Sequence, residues 1–151
     1  MVKIIAIGKK HESWVEPGIE RYQKRLKKPF DVGWVFLGHS TLSGLAAREK
    51  ESQDILSRLN ANDYLILLDE RGKNLDSSEL SGVLSEQNNH SVQVVVVIGG
   101  AYGVNQELTD RANLVWSLSR LVFPHQMVRL ILIEQLYRSQ EIANGNPYHH
   151  E

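Results

Sequence analysis

The sequence predicts an α/β domain: a mostly parallel sheet with helices on both faces. Short apolar runs alternate with amphipathic segments along the chain, in the order β-α-β-α-β-α-β-α-β and then a last helix. Four valines and an isoleucine run from Val94 to Ile98 without polar alternation, the pattern of a strand buried on both faces. A chain of 151 residues suits one domain with a substantial core, so residues 1–151 are read as a single unit.

Val2 to Ile7 reads as the first strand, closed by Gly8. Ser13-x-x-Glu16 matches a capping box, although Pro17 suggests a helix starting instead at Glu16. Val15, Ile19, Tyr22 and Leu26 form one face of that helix and Pro29 ends it. Its other face carries Arg21, Lys24, Arg25, Lys27 and Lys28, either a solvated face or a set of phosphate contacts. Val32 to Leu37 is a second strand, residues 42–59 a second helix, and residues 64–68 a third strand ending in a loop at Asp69 to Lys73. Asp76-x-x-Glu79 caps a third helix with Leu80, Val83 and Leu84 inward. After the central strand, Asn105 caps a short helix and residues 114–118 form a fifth strand.

The last helix opens at Pro124 and runs to Ile142. Met127, Val128, Leu130, Ile131, Leu132, Ile133, Leu136 and Tyr137 cover almost every direction around it. A helix apolar all round is buried on more than one side, here against the sheet and a second subunit. Arg129, Glu134, Gln135 and Arg138 lie within it. Glu134 and Arg138 stand one helical turn apart, so they form an ion pair or take part in chemistry. The polar tail from Gly145 to Glu151 would be disordered if left free.

Composition narrows the function. The chain has no cysteine, which removes disulfides and thiol chemistry and fits a cytoplasmic protein. No apolar run approaches the roughly 18 residues of a membrane span. The net charge of -1 gives no general attraction to nucleic acid, so any such contact must be a local basic patch. No histidine spacing fits a metal site, and no G-x-S-x-G serine motif occurs. The turn Gly99-Gly100-Ala101-Tyr102-Gly103 fits neither the dinucleotide nor the P-loop pattern. It is either a simple tight turn or the end of a ligand site without a phosphate cradle. With the strand ends at Leu68-Asp69-Glu70 and at residues 118–124, expected beside it, it offers apolar walls and free backbone groups suited to a flat heterocycle such as adenine.

Several ordered motifs resemble one family. They are Ile7-Gly8-Lys9, Leu68 to Lys73, Ile98 to Gly103, Leu118-Ser119, Phe123-Pro124-His125-Gln126, Val128-Arg129, Glu134 to Arg138, and Asn146-Pro147-Tyr148-His149. Over essentially the whole chain they resemble the bacterial ribosomal RNA large subunit methyltransferase H family, of the SPOUT class. The resemblance implies a C-terminal trefoil knot, a homodimer, and methyl transfer from S-adenosyl-L-methionine to N3 of a pseudouridine in 23S ribosomal RNA of the assembled ribosome. Neither a membrane nor DNA is implied as partner, and no metal. It implies cofactor contacts at Leu68, Gly100, Ser119, Arg120, Leu121, Val122, Phe123 and Pro124.

For the chemistry, the donor is already electrophilic, so the protein must align N3 and deal with its proton. His149 is the expected base because imidazole titrates nearest neutrality, with Glu134 the alternative if it is not merely paired. Arg129 and Arg138 are expected to hold RNA or orient the tail, and Tyr148 to stack on the base. Where the family's tail has a basic residue, His150 stands here. The competing readings are a non-catalytic RNA- or ribosome-binding module and a flavodoxin-like nucleotide enzyme.

Overall fold

The computed structural model describes residues 1–150; Glu151, the last residue of the tail, lies outside them. The strands are β1 (Val2–Ile7), β2 (Val32–Leu37), β3 (Tyr64–Asn74), β4 (Val94–Ile98) and β5 (Leu114–Ser117). The helices are α1 (Glu16–Gln23), α2 (Gly44–Leu56), α3 (Ser77–Asn89), α4 (Gln106–Arg111) and α5 (His125–Ala143). One parallel sheet forms in the order β2-β1-β4-β3-β5. Every residue of β4 is buried, as expected for a strand flanked by β1 and β3 and covered on both faces.

Alternation along the strands assigns the two layers. Val94, Val96 and Ile98 join Ile4, Ile66 and Trp116 in one cluster with Val15 and Ile19 of the α1 region, Leu80 and Leu84 of α3, and Leu132, Ile133 and Leu136 of α5. Val95 and Val97 face the other way, with Ile5, Ile7, Leu65 and Leu67, against Ile55 of α2 and Leu108 of α4. Among the described residues no helix is long and apolar enough to cross a membrane.

Some local expectations are corrected. Ser13 does not cap α1: Val15 occupies that position without a side-chain cap, and Pro17 sits in the first turn. The helix also stops before Pro29. Arg25 and Leu26 turn into i to i−3 bonds with Tyr22 and Gln23. The buried Gln140 of α5 then takes over, donating to the Arg25 carbonyl and accepting from the Lys27 N–H. By contrast Asp76 and Glu79 form the complete capping box of α3, and Asn105 caps α4. The tail is not free. The Asn146 N–H bonds the Glu141 carbonyl, and Tyr148 returns to α5.

The end of β3 differs most from expectation. Leu68 and Lys73 both pair with Trp116 of β5, so the register shifts and residues 69–72 bulge out of the β3–β5 ladder. β5 lies beyond β3, so of the two strand ends expected beside that of β4, the end of β3 adjoins it and that of β5 does not. Gly72 makes the return to the ladder. A Cβ there would lie 2.5 Å from the Val115 carbonyl oxygen and 2.9 Å from the Trp116 nitrogen. These are backbone atoms of a paired strand and cannot swing aside. Gly72→Ala is expected to destabilise the fold by ~3 kcal/mol, measured as a lower urea midpoint; an unchanged midpoint would show that β5 is not held this closely.

Candidate active site

A cleft of about 1170 Å³ opens at the carboxyl ends of the strands. Leu68, Gly100, Ser119, Leu121, Val122, Phe123 and Pro124 all line it; Arg120 is exposed and does not. The glycine turn forms one wall. The Gly103 N–H bonds the Gly100 carbonyl, and Gly103 has φ +74°, a conformation costly for other residues. Gly100 is required for another reason. An added Cβ would lie 2.6 Å from Glu51 Oε1 and 3.1 Å from Ile7 Cγ2.

Helix α2 holds this turn, with Arg48 itself on the cleft lining. Arg48 Nε donates to the Tyr102 carbonyl (2.7 Å), the Asn105 N–H to Ser52 Oγ (2.9 Å), and Asn105 Nδ2 to Glu49 (2.9 Å). Glu51 is 3% exposed and accepts from the Ser40 N–H at 3.0 Å. Nothing local in the α2 sequence signalled this. The facing wall, residues 118–124, is shaped by Ser117 Oγ donating to the Ser119 carbonyl and the Leu121 N–H donating to Ser119 Oγ. Leu121 and Val122 stand 70% and 75% exposed. At the end of the β3 run, Arg71 donates to Asp69 at 2.8–3.0 Å, and these bonds hold the Asp69 carboxyl below its usual range.

The cleft also holds residues that were not expected there, among them His11, His39 and Arg129. His11 packs edge-on to Trp34 and Phe36, with ring centroids 4.5 and 5.3 Å apart. Arg129 is fully buried, and its contacts are with the Lys9–His11 segment rather than with the tail of its own chain. Its Nη1 donates to the Lys9 carbonyl at 2.9 Å and lies 3.3 Å from His11 Nδ1, and its guanidinium sits 5.1 Å over Phe36. Among the described residues Nε and Nη2 have no hydrogen-bond partner. Burial lowers the pKa of Arg129, and burial with the Arg129 charge lowers that of His11.

His125 lies in the same cluster. Burial first, then the Arg129 charge, lowers its pKa from 6.5 to about 4, against the opposing bonds to the Ile98 and Gly99 backbone. The native state thus resists a proton that the unfolded chain accepts between those values, so stability rises with pH across that window. Thermal midpoints should fall as pH drops from about 6.5 toward about 4, and His125→Gln should flatten that slope. An equal slope in the variant would assign it elsewhere.

Glu134, Arg138, Tyr148 and His149 come together on another side of α5. Arg138 donates to Glu134 Oε1 through Nε (3.0 Å) and Nη2 (2.7 Å), so the helical ion pair forms. The Tyr148 hydroxyl donates to the same oxygen at 3.1 Å, and Gln135 to Oε2 at 2.8 Å. Arg138 stacks 4.7 Å over the Tyr148 ring and sets Nη1 3.2 Å from His149 Nδ1. Burial and the Glu134 charge raise the Tyr148 hydroxyl to about 12, so it stays a donor. His149 and His150 line a second cleft of about 710 Å³, which shares Trp116, Leu118 and Phe123 with the first. The wall at residues 118–123 thus separates the tail cluster from the larger cleft of the same chain. Among the described residues no cluster of three or more His, Cys, Asp or Glu could hold a metal.

A family model described as "Predicted SPOUT methyltransferase" matches residues 1–149. The proteins named ribosomal RNA large subunit methyltransferase H are similar over nearly the full chain. That of Geotalea daltonii is 41% identical, covering 99% of both chains. That of Francisella tularensis subsp. novicida is 37% identical, covering 98% of both. That of Prochlorococcus marinus is 42% identical, covering 99% of this chain and 95% of its own.

Proposed function

The chain belongs to the SPOUT methyltransferase family, and from that premise we propose that it methylates N3 of a pseudouridine in 23S ribosomal RNA. S-Adenosyl-L-methionine is the donor, the assembled ribosome is the substrate, and the enzyme works as a cytoplasmic homodimer with the trefoil-knotted C-terminal segment of its class. The observation that carries the reading is the larger cleft. It has apolar walls and a glycine turn in which a Cβ at Gly100 would crowd Glu51 and Ile7, at the strand ends, in a chain without a phosphate-binding motif. When bound, the donor supplies a methyl group already activated toward nitrogen.

The chain's residues supply the rest. Leu68, Gly100, Ser119 and residues 121–124 enclose the adenosyl part, and Arg120 contributes through its backbone. Lys9, Lys10, Arg21, Lys24, Arg25, Lys27 and Lys28 are all exposed and meet RNA phosphates; dimerisation doubles that set. Trp14, Leu121, Val122 and Met127 are exposed apolar residues near the cleft mouth, and a second copy covers them. That placement brings the tail of one subunit to the larger cleft of the other, where His149 meets the target base. Glu134, Arg138 and Tyr148 fix its position.

Calorimetry tests the reading. S-Adenosylmethionine is expected to bind, and to bind better than phosphorylated nucleotides. Failure to bind favours a non-catalytic ribosome-binding module, and preference for a phosphorylated nucleotide favours a nucleotide enzyme; either overturns the proposal.

A further inference from the structure

The Arg138–His149 contact constrains the imidazole. A guanidinium carries only N–H groups and has no acceptor. With Arg138 Nη1 3.2 Å from His149 Nδ1, Nδ1 must be the accepting nitrogen. In the neutral ring the hydrogen then sits on Nε2; this tautomer is assigned from the arginine's chemistry. Nε2 of such a ring is a donor and has no lone pair to receive a proton. The arrangement is braced. Glu134 takes two hydrogen bonds from Arg138 and one from Tyr148, and the Arg138 guanidinium lies over the Tyr148 ring. Helix α5 repeats the device with Arg129 Nη1 and His11 Nδ1 at 3.3 Å.

We infer that His149 serves the reaction as a neutral Nε2–H donor to a carbonyl oxygen beside the methylated nitrogen, and not as the base that removes its proton. The inference rests on the function proposed above. N3 of the target base lies between two carbonyl groups. When its N–H bond breaks, the proton leaves to water and the negative charge spreads onto the two oxygens. A donor fixed at one of them stabilises that anion. The N3 electron pair then forms the bond to the methyl carbon, and the S–CH3 bond breaks with its pair remaining on sulfur. The Arg138 charge on Nδ1 polarises the ring and strengthens Nε2–H as a donor.

Two measurements on the full-length protein decide this. The first is ¹⁵N NMR of [¹⁵N]histidine-labelled enzyme at neutral pH, with His149 assigned by difference from His149→Gln. Hydrogen on Nε2 and a bare Nδ1 are expected; a ring carrying its hydrogen on Nδ1 overturns the inference. The second is turnover on undermethylated ribosomes. The glutamine amide carries N–H near the place of Nε2 and cannot act as a base. His149→Gln is therefore expected to keep kcat within about tenfold of the wild type, and His149→Ala to lose roughly a hundredfold or more. Equal losses in both variants, or full activity in His149→Ala, overturn the inference. If the wild type transfers no methyl group while the NMR result holds, the proposed function fails and the tautomer assignment does not.

Discussion

Gly100→Val is expected to abolish binding of S-adenosylmethionine while the chain still folds. The first atom of any side chain at this position meets Glu51 Oε1 at 2.6 Å and Ile7 Cγ2 at 3.1 Å. Neither can yield freely. Glu51 is buried and anchored by the Ser40 N–H, and Ile7 lies within the core. The turn must therefore move toward the cleft, into the space proposed for the cofactor. Overpacking of this kind costs about 1–3 kcal/mol of stability, and displacing a binding wall by an ångström costs about a hundredfold in function. Calorimetry on Gly100→Ala, alone and with Glu51→Ala, separates the causes. The single variant should bind at least tenfold more weakly, and the double variant should recover part of that loss because the obstructing carboxylate is gone. Wild-type affinity in Gly100→Val would show that the turn does not border the donor.

Glu134→Ala is expected to remove most turnover with a much smaller effect on donor affinity. Glu134 accepts from Arg138, Tyr148 and Gln135 together. Its loss leaves the Arg138 charge without a counter-ion and frees the Tyr148–His149 tail. The Arg138 and Glu134 side chains are 25% and 19% exposed, so water screens part of the effect and the cost in stability is about 1–2 kcal/mol. The effect on kcat should be larger, roughly a hundredfold, because His149, proposed above to meet the base, loses its fixed position. Steady-state kinetics with saturating ribosomes checks this. A variant with wild-type kcat would remove the cluster from the reaction.

The sequence carried the parts of this arrangement that depend on neighbouring residues. The unbroken run of β4, the caps at Asp76 and Asn105, and the Glu134–Arg138 pair follow from spacing alone. Each is closed within a few residues. The glycine turn and the 118–124 loop were legible as walls of one site because both follow strands of a parallel sheet. The missed features depend on contacts between distant parts of the chain. Ser13 looked like a cap, but Val15 holds that position, and the far end of α1 is organised by Gln140. Arg129 reads in the sequence as holding RNA or orienting the tail, and its enclosure by the Lys9–His11 segment and Phe36 has no signal there. The hold of α2 on the glycine turn joins residues about fifty positions apart. The 69–72 excursion depends on β5, which pairs with both of its ends. None of these has a local periodicity to reveal it.

The central claim is that the cleft and the tail together methylate one base of ribosomal RNA. Transfer of labelled methyl from S-adenosylmethionine to ribosomes lacking the modification, followed by nucleoside mapping, tests it most directly. Label is expected in 23S RNA on N3 of a single pseudouridine, and none when Gly100→Val replaces the wild type. Absence of label under conditions where the donor binds, or label on another class of atom, would contradict it.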